Sequence, residues 1–390
     1  MSSTPSSYDA IVVGGGLVGA ATTDALAGRG QRVLLVEQFE PGHTNGSSHG
    51  DGRIIRFAYP EAIYVQMSML AYPAWDDLAA RAGEPFVQIT GGWDCGPADS
   101  AELADVENNF RTFGIPYERL SAAESNRRFP QFHLDEGSEA IYQAGAGVVF
   151  ATKAVLALWR QARAAGAETL TGQRVERIEV KDGLISLYSQ SGGQWVAPRL
   201  VVAAGGWSRQ LLAGLGLDLP LEVTQEQVAY FLPVDEVDHR AGQMPIFIDY
   251  HHERPFYGLP QIDIPGVKVG WHHAGPQINP DHRLPWSDEN LAGVRQFVAK
   301  RFPHLSTTPG EQVTCLYTNT PDYHFILDRH PDYPNVVIGT GFSGHGFKFG
   351  PVLGQILAAL ALDEPPPLPL DTFAISRFAQ RELLVPRTGA

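Results

Sequence analysis

The first patterned stretch of the chain combines two apolar runs with a glycine-rich turn. Residues 10–13 (AIVV) predict a buried strand, residues 14–19 (GGGLVG) predict a tight turn, and residues 20–26 predict a helix. A second apolar strand over residues 33–36 ends at Glu37. This order of strand, turn, helix and strand predicts a Rossmann-type α/β unit that binds a dinucleotide.

Each glycine of this turn has a physical role in the predicted site. Gly14 allows the tight turn, Gly16 lets the backbone approach a pyrophosphate, and Gly19 lets the helix pack close to the sheet. The helix N-terminus would direct free N–H groups and a positive dipole end at the phosphates. Glu37 lies about 20 residues after the glycines, where an acidic side chain binds a ribose hydroxyl. The turn alone does not distinguish NAD from FAD, and a glycine-rich turn that binds nothing is the alternative.

The rest of the chain continues the mixed pattern. Apolar residues at helical spacing predict helices over residues 63–82, 101–113, 152–165, 290–301 and 351–361. Apolar or alternating runs predict strands over residues 86–89, 173–180, 184–189, 200–206, 228–232, 246–250, 313–317 and 336–339, with a turn at Gly91 and Gly92. A second glycine-rich helix entry occurs at residues 341–350. We therefore predict a nucleotide domain that is discontinuous in sequence and interrupted by two insertions.

Composition excludes some classes of partner. The chain has 390 residues, of which 44% are hydrophobic and 18% charged, so we expect about two or three core-sized units. A net charge of −14 argues against nucleic acid, because the surface would repel phosphates. No apolar run approaches the ~20 residues of a membrane helix, so we expect no membrane association.

The cysteines and the N-terminus bear on the cellular compartment. The chain has only Cys95 and Cys315, which are too few for a disulfide framework. Residues 1–7 are polar and lack the basic and apolar regions of a signal peptide. We therefore predict a cytoplasmic protein.

The segment after Glu37 contains further candidate ligand-binding residues. Residues 41–53 are polar and rich in glycine, which predicts a loop. Loops that leave the C-terminal end of a parallel strand surround the ligand crevice in doubly wound sheets. The position of His49, Arg53 and Arg56 therefore favours a functional role over that of solvated loop charges.

Four short motifs identify a family. Residues 49–56 (HGDGRIIR), 268–272 (KVGWH), 315–318 (CLYT) and 342–348 (FSGHGFK) stand in the order found in monomeric sarcosine oxidase and in its relative N-methyltryptophan oxidase. The chain resembles this family of FAD-dependent amine oxidoreductases, in the D-amino-acid-oxidase-like superfamily, over nearly its whole length.

The resemblance implies an α/β fold of two domains. One is a discontinuous Rossmann-type FAD-binding domain, and the other is a substrate domain with a mainly antiparallel sheet. The expected boundaries are 8–85, 150–220 and 321–385 for the FAD-binding domain, and 86–149 and 221–320 for the substrate domain.

The resemblance also implies that FAD is attached covalently through Cys315 to the 8α-methyl group of the flavin. A thiolate is a suitable nucleophile for such a bond; the alternative is a buried structural thiol, which is our interpretation of Cys95. His49 and Arg53 would line the flavin near the attachment edge, and the helix entry at residues 344–349 would face its pyrimidine edge. The predicted FAD-binding residues are Gly14, Gly16, Leu17, Val18, Gly19, Glu37, Gln38, Ser48, His49, Arg53, Val175, Ala204, Gly205, Trp207, Cys315, Gly344, Gly346, Phe347 and Lys348.

The same resemblance assigns the residues that act on the substrate. Arg56 and Lys348 would bind the carboxylate of an amino acid, since a carboxylate in a closed site needs paired positive charge. Lys268 would activate O2 by stabilising the negative charge that develops on it. The residues predicted to act in catalysis are Lys268, His272, Tyr257, Tyr317, Arg53 and His49.

The sequence leaves an alternative for three of these residues and suggests one further kind of site. His272, Tyr257 and Tyr317 would lie on the substrate side of the pocket, although a structural role is as compatible with the sequence. The neighbouring histidines at 251–252 and 272–273 suggest metal ligands, but no thiol or carboxylate stands at ligand spacing, and we predict no metal.

The predicted reaction is the oxidation of a secondary amine. Sarcosine or another N-methyl-L-amino acid would transfer a hydride to FAD, the imine would hydrolyse, and O2 would become H2O2. Cyclic imino acids such as pipecolate or proline-like acids are an alternative, because residues 248–256 follow neither relative closely and Gly52 replaces a hydroxyl residue. A flavin dehydrogenase that uses an electron carrier, and a flavoprotein without turnover, are further alternatives. The family implies a monomer.

Overall fold

The computed structural model describes residues 8–379. Within this range the strands are β1 Ala10–Val13, β2 Val33–Val36, β3 Gly52–Ile55, β4 Val87–Ile89, β5 Gly92–Pro97, β6 Glu118–Ser121, β7 Ser138–Gln143, β8 Gly147–Phe150, β9 Glu168–Leu170, β10 Val175–Lys181, β11 Leu184–Ser189, β12 Gln194–Ala197, β13 Leu200–Val202, β14 Glu222–Pro233, β15 Ile246–Asp249, β16 Phe256–Leu259, β17 Val267–Trp271, β18 Leu305–Asn319, β19 Ile326–Arg329 and β20 Val336–Thr340. The α-helices are α1 Leu17–Ala27, α2 Ala62–Ala82, α3 Ala101–Phe113, α4 Ala122–Arg128, α5 Ala151–Ala164, α6 Ser208–Ala213, α7 Asp288–Arg301 and α8 Gly350–Ala361. Short 3-10 helices are Gly205–Trp207, Phe347–Phe349, Asp371–Phe373 and Ile375–Ala379.

A six-stranded sheet carries the glycine turn. Its order is β19-β20-β13-β1-β2-β9, and every neighbouring pair is parallel except β19 with β20. Its central strands are short, apolar and fully buried, as expected when both faces of a parallel sheet are covered. Helices α1, α5 and α8 pack on one face, and the meander β10-β11-β12 packs on the other. This is the predicted Rossmann-type arrangement.

A second sheet is mainly antiparallel, as predicted. Its order is β18-β14-β17-β16-β15-β5-β7-β6, and only β15 with β5 runs parallel. Helix α7 packs on this sheet, where the ring of Phe297 stacks on that of Phe256 with 4.1 Å between the centroids. A further, small sheet has the order β3-β8-β4. Its strand β3 connects the loop after β2 to helix α2.

Observed and predicted elements differ where tertiary contacts extend or shift them. Helix α3 has the predicted bounds, whereas α1 begins at Leu17 and includes Gly19 in its first turn. Gly92, predicted to lie in a turn, begins strand β5. Strands β14 and β18 run over 12 and 15 residues, much longer than predicted, because they pair with each other along nearly their whole length. The pairing keeps exposed polar residues of β18 in the strand, although these residues interrupt its apolar pattern.

The predicted domain boundaries stay a prediction. Every strand of the six-stranded sheet comes from a segment predicted for the FAD-binding domain, and every strand of the eight-stranded sheet comes from a substrate-domain segment. The sheet β3-β8-β4 combines strands from both sets of segments. Residues 1–7 and 380–385, on which the compartment prediction and the last boundary partly rest, lie outside the described residues. No helix within residues 8–379 has both the length and the apolar character that a bilayer crossing requires.

Candidate active site

The turn between β1 and α1 forms one end of a long cavity. Gly14 has a φ of +100°, and a Cβ atom on it would lie 2.4 Å from the carbonyl oxygen of Ala203. A Cβ atom on Gly19 would lie 1.8 Å from the carbonyl oxygen of Gly14. A side chain at Gly14 would therefore push the turn away from Ala203, and one at Gly19 would push helix α1 away from the turn. The resulting bare backbone at the start of α1 is what a phosphate site requires.

Glu37 holds this turn in place. Its carboxylate is buried and accepts hydrogen bonds from the N–H of Gly15 (2.5 Å) and the N–H of Phe39 (2.8 Å). Burial raises the pKa of Glu37, although the backbone donors oppose the shift. The predicted contact to a ribose hydroxyl stays a prediction; the observed role is to connect the end of β2 to the glycine turn.

One cavity brings nearly all predicted site residues together. It extends from the glycine turn, past the loop after β2, to strands β16, β17 and β18 and the turn before α8. The predicted residues that line it are Gly14, Gly16, Leu17, Val18, Glu37, Gln38, Ser48, His49, Arg53, Arg56, Val175, Ala204, Gly205, Trp207, Tyr257, Lys268, His272, Cys315, Tyr317, Gly344, Gly346, Phe347 and Lys348. Gly19 is not among the lining residues of the described chain, since it lies beneath the turn in the predicted packing role.

The loop after β2 and the start of strand β3 place His49 and Arg53 on the cavity wall. Arg53 donates to the carbonyl oxygens of Gly52 (2.9 Å), Ser47 (2.9 Å) and His49 (2.8 Å), which fixes its guanidinium. Burial, reinforced by the positive charge of Arg53, lowers the pKa of His49 to about 3. His49 is therefore neutral, and its buried Nε2 has no hydrogen-bond partner within residues 8–379.

Cys315 lies on β18 opposite Glu226 of β14 and is buried at the cavity wall. Burial raises the pKa of the Cys315 thiol, and the positive charges of Arg53 and Lys268 act in the opposite direction. The nearby cations favour the thiolate form that a nucleophilic cysteine requires, whereas burial favours the protonated thiol.

Lys268 is a buried cation on strand β17. Its Nζ lies 3.2 Å from the carbonyl oxygen of Gly52 and 3.4 Å from Asp51 Oδ1, which also accepts from the hydroxyl of Tyr230 (2.8 Å). Burial and the charge of Arg53 lower the pKa of Lys268 to about 8. The side chain is thus held in position while its charge is only partly compensated.

Arg56 and Lys348 converge on the same tyrosine, although 292 positions separate them in sequence. Nζ of Lys348 donates to the hydroxyl of Tyr59 (2.6 Å) and to the carbonyl oxygen of His345 (2.8 Å). The Arg56 guanidinium lies 4.9 Å from the ring centroid of Tyr59. Burial and the nearby charge of Arg56 hold the pKa of Lys348 well below its ordinary value. The two residues predicted to bind a carboxylate thus lie beside one tyrosine, and their binding of an anionic group stays a prediction.

Three further predicted residues form a hydrogen-bonded chain on the cavity wall. His272 Nδ1 lies 3.2 Å from the hydroxyl of Tyr317, which lies 3.4 Å from the hydroxyl of Tyr257. Burial raises the pKa of Tyr257 and of Tyr317, so both phenols are neutral.

The predicted helix entry at residues 344–349 has a different form. Phe347–Phe349 make one 3-10 turn, and α8 begins only at Gly350, packed against Leu17. The cavity is therefore faced by the glycine turn and the 3-10 turn rather than by the N-terminus of α8.

Four polar residues of this region were not predicted from the sequence: Asp51, Tyr59, Asp94 and Tyr250. Asp94 was the most visible, since it interrupts the apolar run of β5 and is completely buried. A buried carboxylate needs a cationic partner, which the sequence does not locate. Residues 248–256, which follow neither relative closely, contribute Ile248, Tyr250 and Pro255 to the cavity wall.

The reason given for excluding a metal is wrong at His251. The fold brings ligand atoms of Cys95, Asp249 and His251 within 4.8 Å of one another. However, Nε of Arg301 donates to Asp249 Oδ2 (2.7 Å), and Nη2 lies 3.3 Å from His251 Nδ1. The carboxylate is thus already paired with a guanidinium, which occupies the place of a cation.

Comparison with known proteins identifies the family. A family profile described as FAD dependent oxidoreductase matches residues 9–360. The chain belongs to the FAD dependent oxidoreductase family. Its cofactor is FAD, as the motifs predicted.

Relatives within this FAD dependent oxidoreductase family match the chain over nearly its full length. Peroxisomal sarcosine oxidase of Homo sapiens is 38% identical over 381 residues, which cover 95% of this chain and 96% of the relative. Monomeric sarcosine oxidase of Bacillus sp. (strain B-0618) is 34% identical, with 97% and 98% covered. N-methyl-L-tryptophan oxidase of Salmonella agona (strain SL483) is 34% identical, with 96% and 100% covered. The resemblance inferred from the motifs is confirmed.

A solved structure supports the fold in the same way. NikD, described as an unusual amino acid oxidase essential for nikkomycin biosynthesis and solved in an open form, superposes with a TM-score of 0.83. It is 25% identical, and the match covers 94% of this chain and 97% of NikD. The predicted fold class is confirmed.

The residues of the cavity fit the FAD that this oxidoreductase family uses. The glycine turn leaves bare backbone beside the start of α1, where a pyrophosphate binds. His49 Nε2 and Thr318 Oγ1 are buried at the cavity, and neither has a hydrogen-bond partner among the described residues. Buried polar atoms are normally paired, so these two atoms indicate that a polar ligand completes the site.

Proposed function

We propose that this chain is a FAD-dependent oxidase of secondary amines that oxidises sarcosine or other N-methyl-L-amino acids and reduces O2 to H2O2. The observation that carries the proposal is the convergence of Arg56 and Lys348 on Tyr59 inside the cavity. The relatives named sarcosine oxidase and N-methyl-L-tryptophan oxidase support the same substrate class. When bound, FAD would supply the hydride acceptor and the reductant for O2.

The chain's own residues would bind and orient the substrate. Arg56 and Lys348 bind the carboxylate, and binding restores the positive charge that burial disfavours on Lys348. The amine then points toward the wall formed by Tyr257, Tyr317 and His272, where the neutral phenols of the two tyrosines offer hydrogen bonds without a competing charge. This environment favours the neutral amine, whose lone pair assists loss of hydride from the neighbouring carbon.

We further propose that FAD is attached through Sγ of Cys315. The thiol lines the same cavity as Arg53 and Lys268, both of which favour its ionised form. Arg53 and the neutral His49 lie beside the same part of the cavity and would position the ring for attachment.

A panel of amines tests the proposal directly. We expect sarcosine, N-methyltryptophan, pipecolate and proline to differ in rate, with an N-methyl amino acid oxidised fastest and one H2O2 formed for each O2 consumed. A cyclic imino acid as the best substrate would favour the alternative oxidase. Anaerobic bleaching of the flavin without peroxide formation in air would indicate a dehydrogenase that uses an electron carrier. Absence of bleaching with every amine would contradict the proposal as a whole.

Removal of the Lys348 charge should weaken substrate binding. In Lys348→Met, KM for an N-methyl amino acid should rise about hundredfold, because a charge-assisted hydrogen bond in a closed site is lost. The dissociation constant from anaerobic flavin reduction measures this effect without the oxidative step. Lys153→Met, on the surface of α5, is the matched control, and its KM should not change. An unchanged KM in Lys348→Met would remove Lys348 from the carboxylate site.

The reductive half-reaction should accelerate with pH. At substrate concentrations below KM, the anaerobic rate should rise between about pH 6 and about pH 10, because only the neutral amine can release the hydride. Stopped-flow flavin absorbance measures this rate. A flat profile over that range would contradict the requirement for a neutral amine.

We also propose that the enzyme is a monomer, in line with the name of its relative monomeric sarcosine oxidase. Light scattering after gel filtration should give a mass near 42.5 kDa. A mass twice as large would contradict this.

A further inference from the structure

A buried acidic residue behind the carboxylate site has no role in the function described above. Asp94 lies in strand β5, and its side chain is inaccessible to solvent. Its Oδ1 accepts a hydrogen bond of 2.6 Å from Nη1 of Arg56, which also donates to the hydroxyl of Tyr250 (3.1 Å). Asp94 is not among the described residues that line the cavity, so it acts on a ligand by its charge and by its hydrogen bond to Arg56 rather than by direct contact.

These contacts determine which edge of Arg56 faces a ligand. Both hydrogen bonds use Nη1, which leaves the edge formed by Nε and Nη2 for a carboxylate. The ring of Tyr59 lies against the guanidinium, with 4.9 Å between the ring centroid and Cζ. Arg56 is therefore held in one orientation before a ligand arrives.

Asp94 also changes the charge of the site. Burial disfavours the charge on Arg56, but Tyr250 and Asp94 outweigh burial and hold the pKa of Arg56 above its ordinary value. Burial raises the pKa of Asp94 to about 6 against the attraction of Arg56, so Asp94 is ionised at pH 8. Once a carboxylate has bound and Lys348 is protonated, two positive charges and one negative charge surround that carboxylate.

The other Arg and Lys side chains that line the described cavity already have hydrogen-bond partners. Arg53 is bound by three backbone carbonyl oxygens, and Lys268 lies 3.4 Å from Asp51. Arg174 forms two hydrogen bonds to Asp281, of 2.8 and 2.7 Å. A second carboxylate would therefore have to displace one of these partners or be buried unpaired, and both are unfavourable.

We propose that Asp94 is a positioning residue that offsets part of the positive charge of the carboxylate site through Arg56, and thereby restricts the enzyme to substrates with a single carboxylate. The inference rests on the proposed function, in which Arg56 and Lys348 bind the substrate carboxylate. It adds the substrate class: N-alkyl amino acids with one carboxylate group are accepted, and their dicarboxylate counterparts are rejected by charge.

Two ligands of equal shape separate charge from size. Diglycolate has two carboxylates, and its monoamide, diglycolamic acid, has one carboxylate and one neutral amide; neither contains an oxidisable amine. Each is titrated at pH 8 into the FAD-loaded protein, and the flavin absorbance reports binding. The wild-type enzyme should bind the monoamide at least about tenfold more tightly than it binds diglycolate.

Two variants test the role of Asp94. In Asp94→Asn the shape and the acceptor for Nη1 persist while the negative charge is lost, so the preference for the monoamide should fall about tenfold. Tyr250→Phe is the matched control: it removes a hydrogen bond to Arg56 without a change of charge. It should shift both affinities and leave their ratio unchanged.

The possible results are decisive for this inference. Equal affinities in the wild-type enzyme would overturn it, whether or not Asp94→Asn folds. Binding of neither ligand would overturn it too, because size rather than charge would then exclude the second group. An Asp94→Asn variant with the wild-type ratio would assign the selectivity to other residues. Failure of the proposed function would appear separately, as an enzyme whose flavin no N-methyl amino acid reduces.

Discussion

Lys268→Met should slow the reaction of the reduced enzyme with O2 by about a thousandfold, the effect of removing one preorganised charge from a buried site. Lys268 is held by Gly52 and Asp51 at the cavity wall, so its ammonium needs no reorganisation when negative charge develops on O2. Methionine has a similar length and no charge. Stopped-flow mixing of the reduced enzyme with O2 measures this step directly.

The comparison with the reductive half-reaction makes this prediction specific. Anaerobic reduction by substrate should change less than about tenfold in Lys268→Met, because the substrate carboxylate is bound elsewhere, by Arg56 and Lys348. Lys300→Met, which alters an exposed lysine of α7, is the control and should leave both half-reactions unchanged. Equal loss of both half-reactions in Lys268→Met would contradict the assignment and favour the dehydrogenase alternative.

The pH dependence of the oxygen reaction follows from the same contacts. Since burial and Arg53 lower the pKa of Lys268 to about 8, the ammonium is present below that pH and is lost above it. The rate constant for O2 should therefore fall as the pH rises through about 8, and this step should be absent in Lys268→Met. The rate of the reductive half-reaction should instead rise with pH. The two pH profiles therefore distinguish the titration of Lys268 from that of the substrate amine.

Cys315→Ala should abolish covalent attachment of the flavin completely. Acid precipitation of the wild-type protein should leave the yellow chromophore in the pellet, whereas Cys315→Ala should release it into the supernatant. The glycine turn and His49 remain in this variant, so FAD should still bind before acid is added. Mass spectrometry of the denatured chains is a second test: the wild-type chain should carry the added mass of one FAD, and the Cys315→Ala chain should not.

The second thiol provides the control for this prediction. Cys95 is buried beside Asp249 and His251 and does not belong to the described cavity lining. Cys95→Ala should therefore retain the chromophore in the pellet. Retention in Cys315→Ala would show that another residue forms the bond, and release from the wild-type protein would show that FAD is not covalently bound.

Local sequence was sufficient for the elements near the first glycines. Strand β1, the turn, helix α1 and strand β2 are set by apolar runs and glycines that lie within about 25 residues of one another. The bounds of α3 were also predicted correctly, since Ser100 caps its start and Gly114, with φ +66°, ends it. The lengths of β14 and β18 were not, because pairing between distant strands, rather than apolar alternation, determines them.

The predicted site residues were found in a different way. Arg56, Lys268, Cys315 and Lys348 were located by short motifs and by resemblance to a family, and the structure places all four on one cavity. Their partners were not predicted. Tyr59, Asp51 and Asp94 stand in stretches where nothing in the spacing points to a cation far along the chain.

The sequence by itself therefore determined the fold class, the cofactor and the cations of the site, because glycine turns, apolar periodicity and family motifs are local properties of the chain. Only the tertiary structure decided which anions and hydroxyls surround each cation, and with them the balance of charge. Asp94 reaches Arg56, and Arg301 reaches Asp249, through contacts across 38 and 52 positions of sequence. Charge interactions depend on distance and burial in space, and neither quantity can be read from spacing along the chain.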